Sequence, residues 1–177
     1  MKKKFLIWIG MMLLLIITGC ANDEEVAREL IDYYNNDWLA SQIMKKENIG
    51  PKQNELLRLE DESNERASML VEEEIIPSMK KVLDYLHNVE LEHAEIKELH
   101  QINVEAEEFF YKTLKTLPAY YRGEISDDKV DENSEKLKKK YDAFLERRDE
   151  LMDKYDIVWD EDSYEQGYYK MKLKPNN

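Results

Sequence analysis

Two carboxylate–histidine pairs are the residues best spaced for metal chemistry. Asp84-x-x-His87 and Glu90-x-x-His93 each place a carboxylate and an imidazole one helical turn apart, the spacing used by carboxylate-bridged di-iron bundles. Such sites need two pairs on different helices and two further glutamates, whereas both pairs here fall on one predicted helix and on different faces of it. We therefore interpret them as solvated acids beside histidines, and the sequence predicts no metal and no cofactor.

Other catalytic groups are equally sparse. His93 and His100 lie seven residues apart, which is two helical turns and more than about 10 Å along the axis, too far to bind one ion together. The only thiol is that of Cys20, and neither a Gly-x-Ser-x-Gly element nor a glycine-rich phosphate loop follows it. The sequence therefore predicts a protein that is not an enzyme.

Composition limits the fold and the partners. The chain has 177 residues, five Gly and four Pro, too few turn residues for a sandwich, a barrel or a nucleotide-binding α/β domain. A single Cys excludes an intramolecular disulfide and a Cys-based zinc or iron–sulfur site. The formal net charge of −13 disfavours nucleic acid as a partner, because such binding neutralises phosphates with clustered cations. The sequence predicts one all-α domain.

The first residues have the organisation of an export signal. Lys2, Lys3 and Lys4 precede an apolar run of 13 residues, 5–17, which ends just before Thr18 and Gly19. A membrane-spanning helix needs about 20 apolar residues, so the run is too short to cross a bilayer. We expect a signal peptide over 1–19, a helical domain over 20–160 and a C-terminal tail over 161–177.

The segment Ile17-Thr18-Gly19-Cys20 resembles the lipobox of bacterial lipoproteins, with Ile17 and Thr18 in place of the more usual Leu and Ala or Ser. The resemblance implies cleavage before Cys20 and a lipid on its sulfur, which would anchor the chain to the membrane. The alternative is an ordinary signal peptide that ends by chance at a cysteine. Cleavage would remove three lysines and no acidic residue, so the formal net charge would change from −13 to −16.

Few breakers divide the remainder, so the helices should be long. Asp23 to Asn48 carries apolar residues at spacings of four and predicts the first helix. After Gly50 and Pro51, only Pro77 interrupts a helical pattern that extends to Pro118, about 100 Å if straight. The spacing of four and three along this stretch predicts a coiled-coil seam formed by Ile75, Met79, Val82, Leu86, Val89, His93, Ile96 and His100.

Two arrangements are compatible with these helices. Ser126 begins a third predicted helix that extends to Val158. If Pro77 only kinks the central helix, the fold consists of elongated antiparallel helical hairpins that share it. If the chain reverses at Pro77, the same pairs form a four-helix bundle.

Antiparallel neighbours joined by a short turn face each other at a constant index sum, which predicts specific contacts. Around Gly50, Trp38 should face Ser63 and Tyr34 should face Ala67, large residues against small ones. Around the second turn, the basic residues of the third helix should meet the acidic residues of the central helix. These expected pairs are Lys138, Lys139 and Lys140 with Glu105, Glu107 and Glu108, and Arg148 with Glu95.

Two segments are candidate interaction surfaces. Tyr120, Tyr121 and Arg122 lie in the loop between Pro118 and Gly123, where tyrosine and arginine are typical of recognition surfaces; the alternative is that one ring only anchors the loop. In the tail, basic and apolar residues alternate, so the lysines could reach anionic headgroups near Cys20; the alternatives are a disordered tail or a short edge strand. These lysines are Lys170, Lys172 and Lys174.

The lipobox together with the acidic, heptad-patterned body resembles the small surface lipoproteins of Gram-positive bacteria, including those described as cell-wall-binding. That resemblance implies a location between membrane and wall and transfers no site residues. We expect a non-enzymatic, membrane-anchored interaction or scaffold protein on the extracytoplasmic face, whose partner is an envelope protein or a cell-wall component. The alternative is a lipoprotein that binds a ligand, either a cell-wall glycan or a metal.

Overall fold

The computed structural model describes residues 23–165 and 167–175, which form four long helices, one short helix and a two-stranded hairpin. Cys20 and the expected signal peptide lie outside the described residues. The mostly helical fold that the sequence predicts is confirmed for the described part of the chain. The elements are α1 (23–48), α2 (50–86), α3 (Ala94–Leu114), α4 (Leu117–Tyr121), α5 (Asp127–Lys154), β1 (Ile157–Glu165) and β2 (Tyr168–Leu173).

Helix α2 is sharply bent at Ser63. This residue is extended (φ −164°, ψ 108°) and separates a first arm, Gly50–Glu62, from a second arm, 64–86. The side chain of Ser63 accepts a hydrogen bond from the Arg66 backbone N–H (3.4 Å), which caps the second arm. Lys52 Nζ reaches Ser78 Oγ at 3.0 Å, so the two arms fold back towards each other.

The central helix expected from the sequence is not continuous, and this prediction was wrong. The second arm of α2 ends at Leu86, and the chain reverses through 87–93 before α3 begins. Pro77 lies inside the second arm, directly after a π-helical turn, Val71–Ile75. Proline has no N–H to donate, and the wider π-helical turn accommodates the missing backbone hydrogen bond. The four-helix alternative therefore correctly required a reversal, but placed it at Pro77 instead of 87–93.

A carboxylate from α1 holds the reversal. Glu29 accepts hydrogen bonds from the backbone N–H groups of Glu92 and His93 and from the His93 ring (2.7 Å to Nδ1). These backbone groups lie just before the first residue of α3, where N–H donors have no partner within the helix. The predicted seam is thus interrupted between Leu86 and Ile96. His93 lies at the N-cap position of α3, with an extended backbone, instead of on a coiled-coil face.

Helices α1 and α3 run in the same direction. Glu29 contacts His93 near the start of both helices, and Lys45 contacts Glu107 further along both. Helix α5 packs antiparallel to α3, as expected for the second predicted hairpin: Lys154 bonds Glu95 at 2.6 Å.

The aromatic face of α1 is buried against α5 and the hairpin. Trp38 stacks on Tyr34 (4.4 Å between ring centroids) and on Phe144 (5.8 Å), and its edge meets Tyr168. The expected pairing of Trp38 with Ser63 and of Tyr34 with Ala67 was therefore wrong. The second arm of α2 meets α1 further along instead, where the Tyr85 hydroxyl donates to Asp37 at 3.2 Å.

The C-terminal hairpin is antiparallel and is fixed to α1 by one amide. Residue Ile157 pairs with Leu173 and Trp159 with Met171. The Asn35 side chain donates to the Met171 carbonyl (2.9 Å) and accepts from its N–H (2.7 Å), so it acts as a strand partner for β2. The expected start of a separate tail at residue 161 lies within β1, and the strand alternative for this segment describes it best.

Candidate functional site

The expected lipidation site, Cys20, lies outside the described residues. Asp23 is exposed and already helical, so the described body begins three positions after the cysteine. None of the helices within 23–165 and 167–175 combines the length and the apolarity needed to cross a bilayer.

Tyr120 and Tyr121 belong to the short helix α4, not to an open loop. Tyr121 is buried, and its hydroxyl donates to Glu60 at 2.5 Å. Burial raises the pKa of Tyr121, and the hydrogen bond to Glu60 raises it further. Tyr120 remains half-buried, and the two rings meet edge to face with centroids 5.5 Å apart. One ring therefore anchors α4 and the other retains an accessible surface.

An open groove lies beside these two rings. Its volume is about 490 Å³, and it separates the bend of α2 from the connection between α4 and α5. Gly123, at φ +73°, allows the chain to turn at its edge. The polar and aromatic residues that line the groove are Glu60, Asn64, Tyr120, Tyr121, Ser126 and Asp127.

The groove carries negative charge. Hydrogen bonding to the Asp127 carboxylate and the charge of this group raise the pKa of the Tyr120 hydroxyl, and Glu60 and Asp131 add to the effect. Arg122, the third residue of the predicted surface, is engaged elsewhere: it bonds Glu124 at 2.9 Å and Glu72 at 3.3 Å. The arrangement suits a cation or a hydrogen-bond donor and disfavours an anion.

The three tail lysines lie on or just after β2. Lys172 bonds Asp160 across the hairpin at 2.7 Å, Lys170 is half-buried, and Lys174 is exposed after the strand ends. The pKa of Lys172 is raised, first by its hydrogen bond to Asp160. Since Glu161 and Asp162 follow Asp160, the hairpin carries acids beside its lysines. Contact of these lysines with headgroups remains a prediction.

A second polar cluster lies inside the helical core. Lys45 of α1 forms an ion pair with Glu107 of α3, whose side chain is 0% exposed, while that of Lys45 is 17% exposed. The Tyr141 hydroxyl of α5 donates to the other oxygen of Glu107 at 3.1 Å. Burial raises the pKa of Tyr141, and the charge of Glu107 raises it further. This cluster joins three helices through one enclosed carboxylate.

Two more polar side chains of α3, His100 and Asn103, extend this cluster towards the start of the helix, and with Glu107 they form a polar stripe. His100 contacts the Tyr33 hydroxyl (3.3 Å) and the Leu86 carbonyl oxygen (3.1 Å). Burial lowers the pKa of His100, although the Leu86 carbonyl opposes this. Neither polar atom of the buried Asn103 side chain has a well-formed hydrogen bond within the described part of the chain.

Sequence reasoning missed this stripe, although a signal was present. Asn103 and Glu107 follow His100 at spacings of three and four, so they continue the predicted seam with polar residues. The index pairing placed Glu107 beside the basic run of α5 and not inside the core. In that run Lys140 bonds Glu105 at 3.6 Å as expected, whereas Lys138 and Lys139 form no ion pair with any described residue.

Arg148 does not pair with Glu95. It stacks on the ring of Trp159, with 5.0 Å from its guanidinium carbon to the centroid, and bonds the adjacent Asp149 at 2.7 Å. Lys154 and not Arg148 binds Glu95, because the antiparallel register is shifted by several residues from the simple index sum.

The two carboxylate–histidine pairs are separated by the fold. Lys80 binds Asp84 at 2.6 Å, while His87 points to Glu108 of α3 at 3.0 Å. His93 contacts Glu29 and not the nearby Glu90. Among the described residues, no group of three or more His, Cys, Asp or Glu side chains is arranged to hold a metal ion.

Comparisons of the chain with protein-family models, with curated proteins and with solved structures find no match.

Proposed function

We propose that this chain is a lipid-anchored protein of the extracytoplasmic membrane face, and that its helical body is a non-enzymatic binding module. The observation that carries the proposal is the position of the groove. Helix α1 begins three residues after Cys20, and at about 1.5 Å per residue its ends lie about 38 Å apart.

The groove belongs to the end of the molecule that is remote from the expected anchor. Helix α3 runs in the direction of α1, and the α4–α5 connection that forms one wall of the groove follows the end of α3. A lipid on Cys20 would hold one end of the body at the membrane. The opposite end would then present the groove to an envelope protein or a cell-wall component.

The groove also favours a narrower form of the proposal. An interaction or scaffold protein needs only a surface, whereas a lipoprotein that binds a ligand, such as a glycan or a metal, needs a concave site with converging polar groups. The groove supplies such a site, with two tyrosine rings and two carboxylates. We place binding of a partner group in this groove.

Replacement of Cys20 tests the anchor. We expect the parent protein in the membrane fraction and a processed Cys20→Ala protein in the soluble fraction, because a lipid-modified cysteine is the proposed anchor. Metabolic labelling with a fatty-acid analogue should mark the parent and leave Cys20→Ala unlabelled. A processed Cys20→Ala protein that stays in the membrane fraction contradicts the proposal.

The partner can be sought with the same cells. Cross-linking of intact cells followed by mass spectrometry should identify neighbours linked to the groove end of the body, near Lys129 and Lys136. Cross-links restricted to the hairpin lysines would place the interaction surface on the hairpin instead.

A further inference from the structure

We propose that the groove between the α2 bend and the α4–α5 connection binds a protonated alkyl amine, such as the side chain of a lysine. This inference rests on the proposed binding role and names the chemical group that the groove recognises. Three features of the groove carry it: the angle between two rings, the position of two carboxylates and the pairing of the nearby cations.

The two rings form a corner. Tyr120 and Tyr121 are inclined by 60° with their centroids 5.5 Å apart. An ammonium group is attracted to the electron-rich face of an aromatic ring. The accessible ring of Tyr120 lines the groove, and the buried ring of Tyr121 packs against it edge to face. Tyr121 is fixed by its hydrogen bond to Glu60, so one side of the corner is rigid before any ligand arrives.

The carboxylates add charge at the same place. Glu60 and Asp127 both line the groove, and each interacts with the hydroxyl of one of the two tyrosines. An ammonium group has three donors and no acceptor, so it can bond carboxylates while its alkyl stem contacts the rings. A carboxylate or phosphate ligand would meet the same groups with repulsion.

The cations near the groove are paired with other acids. Arg122 bonds Glu72 and Glu124, and Lys129 bonds Glu132 at 2.7 Å. The positive end of the α5 dipole also lies here, but Asp127 and Asp128 in its first turn offset it. The local charge is therefore negative, and the net charge of −13 attracts cations from a distance.

The size of the groove agrees with this ligand class. A volume of about 490 Å³ lies within the range of about 300–1,000 Å³ that is typical of small-molecule sites. It admits a lysine side chain with its flanking backbone, or a free diamine. The two sources share the same chemistry, and the experiment separates them.

The test is a binding titration of the full chain in detergent micelles, by calorimetry. The probes are a capped peptide with one lysine, the same peptide with this lysine acetylated, and the diamine putrescine. We expect the lysine peptide to bind, and acetylation to abolish binding because it removes the charge. Affinity should fall as salt rises, since the carboxylates are partly exposed. If putrescine also binds, and if the same substitutions in the groove weaken its binding, the result supports the site. It then indicates that a free amine is a natural ligand.

Two variants locate the site. Tyr120→Leu removes an accessible ring and should weaken lysine-peptide binding about fivefold, from the range expected for an exposed cation–π contact. Asp127→Asn keeps the shape and removes one charge, and it should weaken binding by about twofold to fivefold. The matched controls are Tyr164→Leu, an exposed tyrosine (62%) in the hairpin, and Asp84→Asn, an exposed acid of α2; both should bind like the parent.

Some results would overturn the inference. Equal affinity for the acetylated peptide, or unchanged affinity of both Tyr120→Leu and Asp127→Asn, excludes amine recognition in the groove. Binding of a neutral oligosaccharide in place of the amine also refutes it while leaving the binding role intact. The titration is independent of the anchor. A processed Cys20→Ala protein that stays in the membrane fraction would therefore contradict the proposed location and leave the groove assignment untouched.

Discussion

Replacement of Lys45 by Met tests the buried ion pair between α1 and α3. The two side chains have similar length, so the change mainly removes the ammonium group. Glu107 is fully enclosed, and without Lys45 its charge would keep, among the described residues, only the Tyr141 hydroxyl as a partner. An unpaired charge in a protein interior is among the most destabilising changes that one substitution can cause.

The magnitude follows from the exposure of the two partners. Removal of one member of a fully buried pair costs about 3–5 kcal/mol, and the 17% exposure of Lys45 places this pair at the lower end, about 3 kcal/mol. Glu107→Gln should cost less, about 1–2 kcal/mol. In that variant Lys45, which lines an open cavity beside Gln42 and Phe110, can turn its ammonium group to water.

The assay is urea unfolding followed by far-ultraviolet circular dichroism. Lys45→Met should lower the free energy of unfolding by about 3 kcal/mol and the melting temperature by about 6–12 °C. The double variant, Lys45→Met with Glu107→Gln, removes both charges and keeps an acceptor for Tyr141. Its free energy of unfolding should therefore lie within about 1 kcal/mol of that of Glu107→Gln alone.

Two outcomes would refute this reasoning. If Glu107→Gln destabilises the protein more than Lys45→Met does, the difference in burial does not control the cost. If the loss of unfolding free energy in the double variant equals the sum of the losses in the two single variants, the side chains are not coupled and do not form a pair in solution.

Two further predictions concern groups that hold the helices together. Tyr141→Phe removes a hydrogen bond to a charged, buried acceptor and should lower the free energy of unfolding by about 2 kcal/mol, measured by the same urea titration. Burial opposes ionisation of Glu29, but hydrogen bonds from Glu92 and His93 outweigh it and lower the pKa below the ordinary value of 4.5. This stabilisation is present above pH 4.5 and is lost as the pH falls towards the lower pKa of the folded protein, so Glu29→Gln should reduce the melting temperature at neutral pH and approach the parent in acid. A difference in melting temperature that is constant with pH would contradict the second prediction.

The sequence was sufficient to predict the helices whose apolar residues are regularly spaced and whose ends are marked by capping or breaker residues. The first helix, 23–48, and the beginning of α5 after Ser126 lie where the pattern predicts. The antiparallel packing of α3 and α5 followed from a short connection between long helices. These features depend on local residues or on a single turn, which is why periodicity and breakers identify them.

The reversal at 87–93 could not be read in the same way. It contains no Gly or Pro, and the apolar spacing of four and three passes through it without interruption. It is held by the Glu29 carboxylate, which lies more than 60 residues earlier and accepts hydrogen bonds from the backbone N–H groups of Glu92 and His93 just before α3. The hairpin was missed as a structural unit for a related reason, since Asn35 of α1 supplies the bonds that fix β2. The expected surface of Tyr120, Tyr121 and Arg122 did not include Glu60, because Glu60 reaches the groove through the bend of α2.

The burial of the α1 aromatic face has a consequence for the order of events during synthesis. Tyr34 and Trp38 are among the first residues of the folded body to be made, yet Trp159 and Tyr168, which cover them, are among the last. Their rings must stay exposed until almost the whole chain has emerged. Contacts of such wide separation slow folding and leave apolar surface open to aggregation in the meantime. A truncation that removes only the hairpin would therefore uncover the part of this face that Trp159 and Tyr168 contact, while Phe144 would still stack on Trp38.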